Sequence, residues 1–274
     1  MNNTLGYIKN DTRIHKLSGT TKLIAFIVLS IIVMTSFDTR FLILVILVSL
    51  IALRKAEIRW NDVAFLVKIV AAFSVINLLA IYIFEPDYGV KLYGSRAMIL
   101  GKGPYALTLE QIFYELNVAL KYFSTIPLAM VFIFATDPSE FSSSLNKIGV
   151  SYKISYAVAL ALRYIPDVQN SYFEIREANQ ARGLEMSKKS SFMKRIKASS
   201  NIIMPLIFDS LERIETISQA MELRRFGKNK TRTRYREKPF CKNDLYVLIG
   251  VGVIAIIGIS LFFVNQGRFY NPFL

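Results

Sequence analysis

Long apolar blocks alternate with charged stretches along this chain, and the blocks are longer than those of an ordinary soluble domain. A bilayer crossing needs about 20 mainly apolar residues, and a helix pairs its backbone groups within such a segment. We therefore predict five spanning helices. They lie at about Thr21–Phe37, Phe41–Leu53, Val63–Phe84, Ile112–Ala135 and Leu245–Val264. The second is short unless its polar flanks join the helix.

The charges between these blocks predict the orientation of the chain. The N-terminal stretch and the connection between the second and third blocks are basic, whereas the first and third connections are nearly neutral. Lys and Arg accumulate on the cytoplasmic side of spanning helices, so we expect the N-terminus to be cytoplasmic. Five crossings then place residues 137–242 in the cytoplasm and the C-terminus outside.

The segment between the fourth and fifth blocks predicts cytoplasmic helices rather than a loop. Asp137-Pro138-Ser139-Glu140 is typical of a helix start, and this short helix is expected to end near Gly149. Two long helices follow, at about Lys153–Ala181 and Ser191–Phe226, with apolar residues at helical spacing. The glycines that we expect to stop them are Gly183 and Gly227.

Composition agrees with a membrane protein that carries a basic aqueous part. The 274 residues are 53% hydrophobic, and the net charge is +14. Between residues 151 and 242 there are 19 Lys and Arg against 9 Asp and Glu, a net charge of +10. Anionic lipid, nucleic acid and an acidic protein surface are all possible partners for such a segment. The single cysteine, Cys241, excludes an intrachain disulfide.

The sequence offers little catalytic chemistry. It has no Gly-rich phosphate loop, no His-Glu-x-x-His and no Gly-x-Ser-x-Gly. The one histidine, His15, excludes a His/Cys metal cluster and is expected to be a polar residue at the membrane interface. Lys68, Glu115 and Lys121 are the main ionisable residues inside the apolar blocks. They could form a buried pair, but packing on one side or snorkelling toward the interface is favoured.

Both long cytoplasmic helices are predicted to end in an arginine close to a glycine. The first ends Ala181-Arg182-Gly183, and the second ends Leu223-Arg224-Arg225 shortly before Gly227. An arginine at either end interacts favourably with the helix dipole, which explains each end alone but not their similarity. A guanidinium group can also bind a partner's carboxylate through two hydrogen bonds. These six residues are therefore candidates for docking a partner protein.

These helix ends, together with several spaced segments, resemble the transmembrane coupling (T) component of energy-coupling factor transporters, a branch of the ABC transporters. The resemblance covers most of residues 13–227. Besides the helix ends, the similar segments are His15-Lys16-Leu17 through Thr21-Lys22-Leu23, Thr136–Glu140, Leu145 with Ile148-Gly149-Val150, Ala161–Pro166, Pro205-Leu206 with Asp209–Glu212, and Ala220–Glu222.

The resemblance implies a non-catalytic coupling subunit without a cofactor. Two ABC-type ATPase subunits would bind the ends of the coupling helices, mainly through Arg182 and Arg224. Their ATP-driven movement would pass to a separate substrate-binding membrane (S) subunit, whose substrate is usually a vitamin or a metal ion. One departure affects the second docking site, because the family reads Ala-Arg-Gly where this chain has Leu223-Arg224-Arg225. Arg225 adopts a left-handed conformation less easily than glycine, so we expect Gly227 to move the helix stop two residues on.

A basic run, Lys228–Arg236, precedes the last apolar block. RNA binding and a solvated linker are alternatives, but its position beside a spanning helix favours a tether to anionic lipid, with no nucleic-acid partner.

The sequence therefore predicts an all-α polytopic membrane protein in the cell membrane. Residues 1–136 would hold the first four spanning helices, residues 137–242 a cytoplasmic or interfacial coupling-helix domain, and residues 243–274 the last spanning helix. A self-contained secondary transporter or channel and a membrane enzyme acting on lipid are the alternatives. The enzyme would use Arg163, Asp167 and Glu174.

Overall fold

The computed structural model describes residues 7–8, 10–101, 103, 105–183, 192–228 and 238–273. The chain divides into two compact units. One comprises Met1–Leu5 and Pro138–Glu237, and the other comprises Gly6–Asp137 and Lys238–Leu274. We refer to them as the coupling unit and the bundle unit.

The regular secondary structure of the described residues is almost entirely helical, as the sequence predicted. The bundle unit contains α1 (Gly19–Thr35), α2 (Thr39–Lys55), α3 (Trp60–Phe84), α4 (Tyr88–Tyr93), β1 (Met98–Leu100), β2 (Leu107–Thr108), α5 (Leu109–Ala135) and α9 (Lys242–Val264). The coupling unit contains α6 (Pro138–Lys147), α7 (Tyr152–Ala181) and α8 (Phe192–Leu223).

Each predicted apolar block lies in a helix of the bundle unit. The helices α3, over Val63–Phe84, α5 and α9 are long and apolar enough to cross a membrane, and α1 is a shorter apolar helix of 17 residues. The polar flanks of the second block do join it. The Asp38 carboxylate accepts a hydrogen bond from the Arg40 amide at 2.9 Å and so caps α2, which continues to Lys55.

Two buried lysines link the antiparallel helices α1 and α5. Each lysine belongs to one helix and donates to the C-terminal end of the other. Lys22, near the start of α1, donates to the Ala135 carbonyl at the end of α5 (2.6 Å). Lys121 of α5 donates to the Met34 carbonyl at the end of α1 (2.8 Å), and its Nζ lies 3.1 Å from the centroid of the Phe37 ring. The last carbonyls of a helix have no partner within it, and the helix dipole attracts a cation there.

Lys121 therefore serves a helix end rather than an acidic partner. The pairing with Glu115 that the sequence left open is not formed, because the Glu115 carboxylate accepts instead from the Gln111 amide at 3.0 Å. Lys68 is exposed on α3, as the favoured interpretation expected.

The N-terminal segment closes one end of the bundle unit around His15. This residue, which the sequence predicted to be a polar residue at the membrane interface, is buried within the protein. Its Nδ1 lies 2.7 Å from the Thr12 hydroxyl, and its carbonyl accepts hydrogen bonds from Lys22 and Lys238. Burial, and then the charge of Lys22, lower the pKa of His15. Nearby, the fully buried Asp244 accepts from the Ser18 and Cys241 amides, both at 2.8 Å, and ties the start of α9 to α1.

The C-terminal residues close the opposite end of the bundle unit. Asp38, which is buried between α1 and α2, accepts from the Asn265 side-chain amide at 2.7 Å. Phe37 stacks on Phe269 with a centroid distance of 4.5 Å. The Asn271 side-chain amide donates to the Tyr93 carbonyl in α4 (3.1 Å).

The third connection is more ordered than its Gly, Tyr and Pro content suggested. It forms α4 and a short antiparallel hairpin, in which Leu100 of β1 pairs with Leu107 of β2. The sequence did not predict these strands, because they carry too few residues for a clear period-two pattern.

Gly258 allows α9 to approach α1 and α2 closely. A methyl group built on it would lie 2.7 Å from the Ile32 Cγ2 and 3.0 Å from ring atoms of Phe41, whereas Gly252 on the same helix has open space. We expect Gly258→Ala to destabilise the chain by about 1–3 kcal/mol through overpacking. Gly252→Ala should be neutral or stabilising, because alanine is the better helix former. Thermal unfolding of both variants in detergent would check this, and equal midpoints would contradict it.

Because its pKa is lowered in the folded chain, His15 binds fewer protons there than in the unfolded chain. Stability should therefore be complete above the unfolded pKa of about 6.5 and decline as the pH falls below it. His15→Gln cannot take up this proton. Between pH 7.5 and 5, a range that extends on the order of one pH unit to either side of the unfolded pKa, its melting temperature should therefore fall less than that of the wild type. Parallel pH curves for the two proteins would show that His15 is not responsible.

Candidate functional site

The first predicted docking motif lies at the exposed end of α7. The helix ends at Ala181, and Arg182 is its C-cap, with an amide that donates to the carbonyls of Ala178 and Asn179. Gly183 follows with φ 88°, which is the left-handed conformation that glycine adopts without strain. All three residues of the motif are exposed. The glycine stop expected from the sequence is therefore present.

The second motif forms a Schellman turn in which arginine occupies the glycine position. The Phe226 amide donates to the Met221 carbonyl at 2.9 Å, and the Arg225 amide donates to the Glu222 carbonyl at 2.8 Å. Arg225 has φ 52°, so it adopts the left-handed conformation itself. Arg224 is the residue before it, at the C-cap, as Arg182 is in α7.

This turn corrects the predicted end of the second long helix. The sequence analysis placed that end at Phe226 and attributed the stop to Gly227, but α8 ends at Leu223. Gly227 has φ 86° and continues the turn rather than starting it. The left-handed strain at Arg225 is about 1–2 kcal/mol, which contacts of the following residue can offset.

Phe226 supplies those contacts. Its ring lies against Tyr156 with a centroid distance of 4.6 Å and against Tyr152 at 5.2 Å, both in the first two turns of α7. Lys153 of the same turn approaches Gly227. Sequence reasoning did not identify this aromatic cluster. Its signal was two tyrosines four residues apart, which share one face of a helix, and an aromatic residue just beyond the arginine motif.

The contacts between α7 and α8 show that the two helices run antiparallel. The start of α7 meets the end of α8 at Phe226, and further along Asp167 of α7 lies 3.8 Å from Arg213 of α8. The 30 residues of α7 extend for about 45 Å. Arg182 therefore lies at one end of α7, and the Arg224-Arg225 turn lies beside the other end. The two motifs form two separate sites rather than one.

The side chains around the second site combine positive charge with an exposed apolar residue. Arg224 and Arg225 are both exposed, and Leu223, where the family pattern has alanine, is 86% exposed. Positive charge here lies at the negative end of the α8 dipole. Such a surface suits a carboxylate-bearing partner that also offers an apolar contact.

Two further features considered from the sequence are a metal site and a lipid tether. In the part of the chain that the structure describes, no three His, Cys, Asp or Glu side chains form a group that could hold a metal ion. The basic run that was predicted to tether the chain to lipid lies mostly outside the described residues, which resume at Lys238.

Comparison with known proteins extends these observations. The family model CbiQ, described as cobalt transport protein, matches residues 10–235. The chain is 25% identical to the energy-coupling factor transporter transmembrane protein EcfT of Leuconostoc gelidum subsp. gasicomitatum, over 96% of this chain and 97% of that protein. It is 27% identical to the protein of the same name from Acidaminococcus fermentans, over 94% of this chain and 96% of that protein.

A third relative differs in its name and length. It comes from Bifidobacterium longum, and its name describes an ABC transporter ATP-binding protein. The two sequences are 28% identical, and the match covers 60% of this chain but only 22% of that protein.

The aromatic cluster should control the order of the second site. Phe226→Ala removes both ring contacts, each worth about 0.5–1.5 kcal/mol, so amides of residues 224–228 should exchange with deuterium roughly tenfold faster. Leu223→Ala, which alters an exposed side chain in the same turn, is the matched control and should leave exchange unchanged. Hydrogen exchange read by mass spectrometry measures both. Equal exchange in the two variants would mean that the turn does not depend on Phe226.

Proposed function

Because the chain belongs to the CbiQ family and is a transmembrane (T) component of an energy-coupling factor transporter, we propose that it transmits the ATP-driven movement of two ATPase subunits to a separate substrate-binding membrane subunit. The family places the chain among non-catalytic transmembrane subunits, which agrees with the sequence prediction. ATP hydrolysis therefore belongs to partner proteins.

The observation that carries this proposal is the separation of the two arginine-bearing helix ends. They lie at opposite ends of α7, about 45 Å apart along the helix, and each presents an exposed arginine at a helix C-cap. One ATPase subunit would dock at each end, mainly through Arg182 at the first site and Arg224 at the second. A guanidinium–carboxylate contact provides both the orientation and the charge recognition that such docking needs.

The relative from Bifidobacterium longum supports the ATPase partnership. A region similar to this chain makes up 22% of a protein whose name describes an ABC transporter ATP-binding protein. In that protein, the region similar to this chain and the part that its name describes belong to one polypeptide. In this chain the same two parts would be separate subunits joined through the ends of α7 and α8.

Antiparallel packing makes the two coupling helices suitable for transmitting movement. The contacts at Phe226 and the Asp167–Arg213 ion pair connect α7 and α8 at two points. When the ATPase subunits close on ATP and reopen after hydrolysis, a force on either end would move the helices as rigid levers. The substrate-binding subunit would receive that movement and reorient, releasing a vitamin or a metal ion into the cell.

The distribution of Lys and Arg supports the membrane orientation that this function requires. We place the N-terminus and the coupling unit on the cytoplasmic side, where ATP and the ATPase subunits are found. The basic residues in the last turn of α2, Arg54 and Lys55, then lie on that side as well.

Reversing the charge at both docking sites tests the proposal. Arg182→Glu with Arg224→Glu should abolish ATPase association in a mild-detergent pull-down of the tagged chain. Either change alone should weaken association at least about tenfold, because losing one interfacial charge pair costs about 2 kcal/mol or more.

Arg163→Glu is the matched control, because it reverses an exposed arginine on α7 away from both ends. It should retain the ATPases, and all variants should retain the substrate-binding subunit if they fold. A double variant that still yields an assembled and active complex would refute the assignment of these arginines.

A further inference from the structure

The hairpin between α3 and α5 carries an unusual concentration of exposed apolar side chains. Every residue of β1 is exposed and apolar, with Leu100 exposed by 70%. Across the turn, Tyr105 is 62% exposed, and Leu107 of β2 is also exposed. We refer to Met98–Leu100, Tyr105 and Leu107 as the apolar tip.

The hairpin is firmly held to the bundle unit. The Glu110 carboxylate, which is fully buried, accepts hydrogen bonds from the Ala97 amide at 2.9 Å and from the Ser95 hydroxyl at 2.9 Å. The Leu109 amide donates to the Ala97 carbonyl at 3.0 Å. A buried carboxylate with several donors is a costly feature, so the base of the hairpin is a defined structure rather than a variable loop.

The exposed side chains of both strands are apolar. Leu100 pairs with Leu107, and a bulge between Met98 and Leu100 interrupts the regular pairing, yet all three residues of β1 remain exposed. An antiparallel pair that faces water normally has a polar face, and an exposed apolar strand invites aggregation. The surroundings of the apolar tip must therefore be apolar as well.

The apolar tip lies beside the end of the spanning helix α3. The Tyr82 hydroxyl, in the last turn of α3, donates to the Tyr105 carbonyl at 2.8 Å. Ile83 is exposed there, and Phe84 is 83% exposed. The tip thus continues the exposed apolar surface of a helix that is long and apolar enough to cross a membrane.

We infer that the apolar tip inserts into the membrane interface and anchors the connection between α3 and α5 to the lipid leaflet at that end of the bundle. The unpaired backbone groups of the strands keep it at the boundary between headgroups and acyl chains, because hydrocarbon cannot satisfy them. Tyr82 and Tyr105 suit this depth, where aromatic side chains with a polar group accumulate. The Arg96 guanidinium contacts Asp87 (3.8 Å) and donates to the Gly103 carbonyl in the hairpin turn (3.2 Å), and an arginine at this depth keeps its charge among the headgroups.

Tryptophan fluorescence tests this inference directly. Trp60 is the only tryptophan of this chain, so the complex that carries Trp60→Phe alone gives the background emission to subtract. In that background, Leu100→Trp and Ile99→Trp place probes at two exposed positions of β1, and Lys91→Trp places a control on an exposed site of α4 in the same connection. The transporter complex, purified with its partner subunits, would be reconstituted into phosphatidylcholine vesicles brominated near the glycerol end or near the middle of the acyl chains.

We expect both hairpin probes to lose most of their emission in vesicles with shallow bromines, to lose less with deep bromines, and to emit at shorter wavelength than the Lys91→Trp control. Hairpin probes that behave like that control would show that the tip is in water and would overturn the inference. The chain reconstituted alone separates lipid from protein. Quenching in the isolated chain that disappears in the complex would mean that a partner subunit covers the tip, and would overturn it too.

Discussion

The structure depends on how the ends of its membrane helices satisfy their backbone carbonyls. The last carbonyls of a helix lack partners within it, and hydrocarbon offers none. Here each of α1 and α5 contributes a buried lysine that donates a hydrogen bond to a carbonyl at the C-terminal end of the other helix. This exchange fixes the two helices antiparallel and in register. The packing of α2, α3 and α4 on α5 then follows from where α5 lies.

In the coupling unit, the geometry of the second proposed docking end depends on two opposing contributions. Arginine at the left-handed position of the Schellman turn costs conformational energy, and the contact of Phe226 with two tyrosines of α7 offsets it. The turn at the end of α8 is consequently held by the start of α7. The second site is thus shaped by both helices, whereas the first site ends in a conventional glycine stop.

Features that depend on one segment could be predicted, and features that depend on contacts between segments could not. The apolar blocks located the spanning helices within a few residues, because hydrophobic length is a property of the segment itself. The Asp-Pro start of α6 and the Gly183 stop were likewise local.

The partner of Lys121 is a backbone carbonyl 87 residues away, which leaves no mark in the sequence. The end of α8 was misplaced for the same reason, since the residue that stabilises Arg225 there packs on another helix. Composition also gave no indication of the hairpin, because its order comes from Glu110 and Tyr82 outside the strands.

The position of α9 in the chain has a consequence for biosynthesis. Its first turn supplies Asp244 to the amide of Ser18, and the residue after its end supplies Asn265 to Asp38, so the starts of both α1 and α2 are completed by contacts more than 220 residues away. A ribosome makes α9 after the other helices of the bundle unit. Until α9 is inserted, the Ser18 amide lacks its Asp244 acceptor and Asp38 keeps its bonds from Arg40 but lacks the one from Asn265. The bundle therefore matures only after the coupling unit has emerged, and a chain truncated before α9 would leave the starts of α1 and α2 incompletely paired.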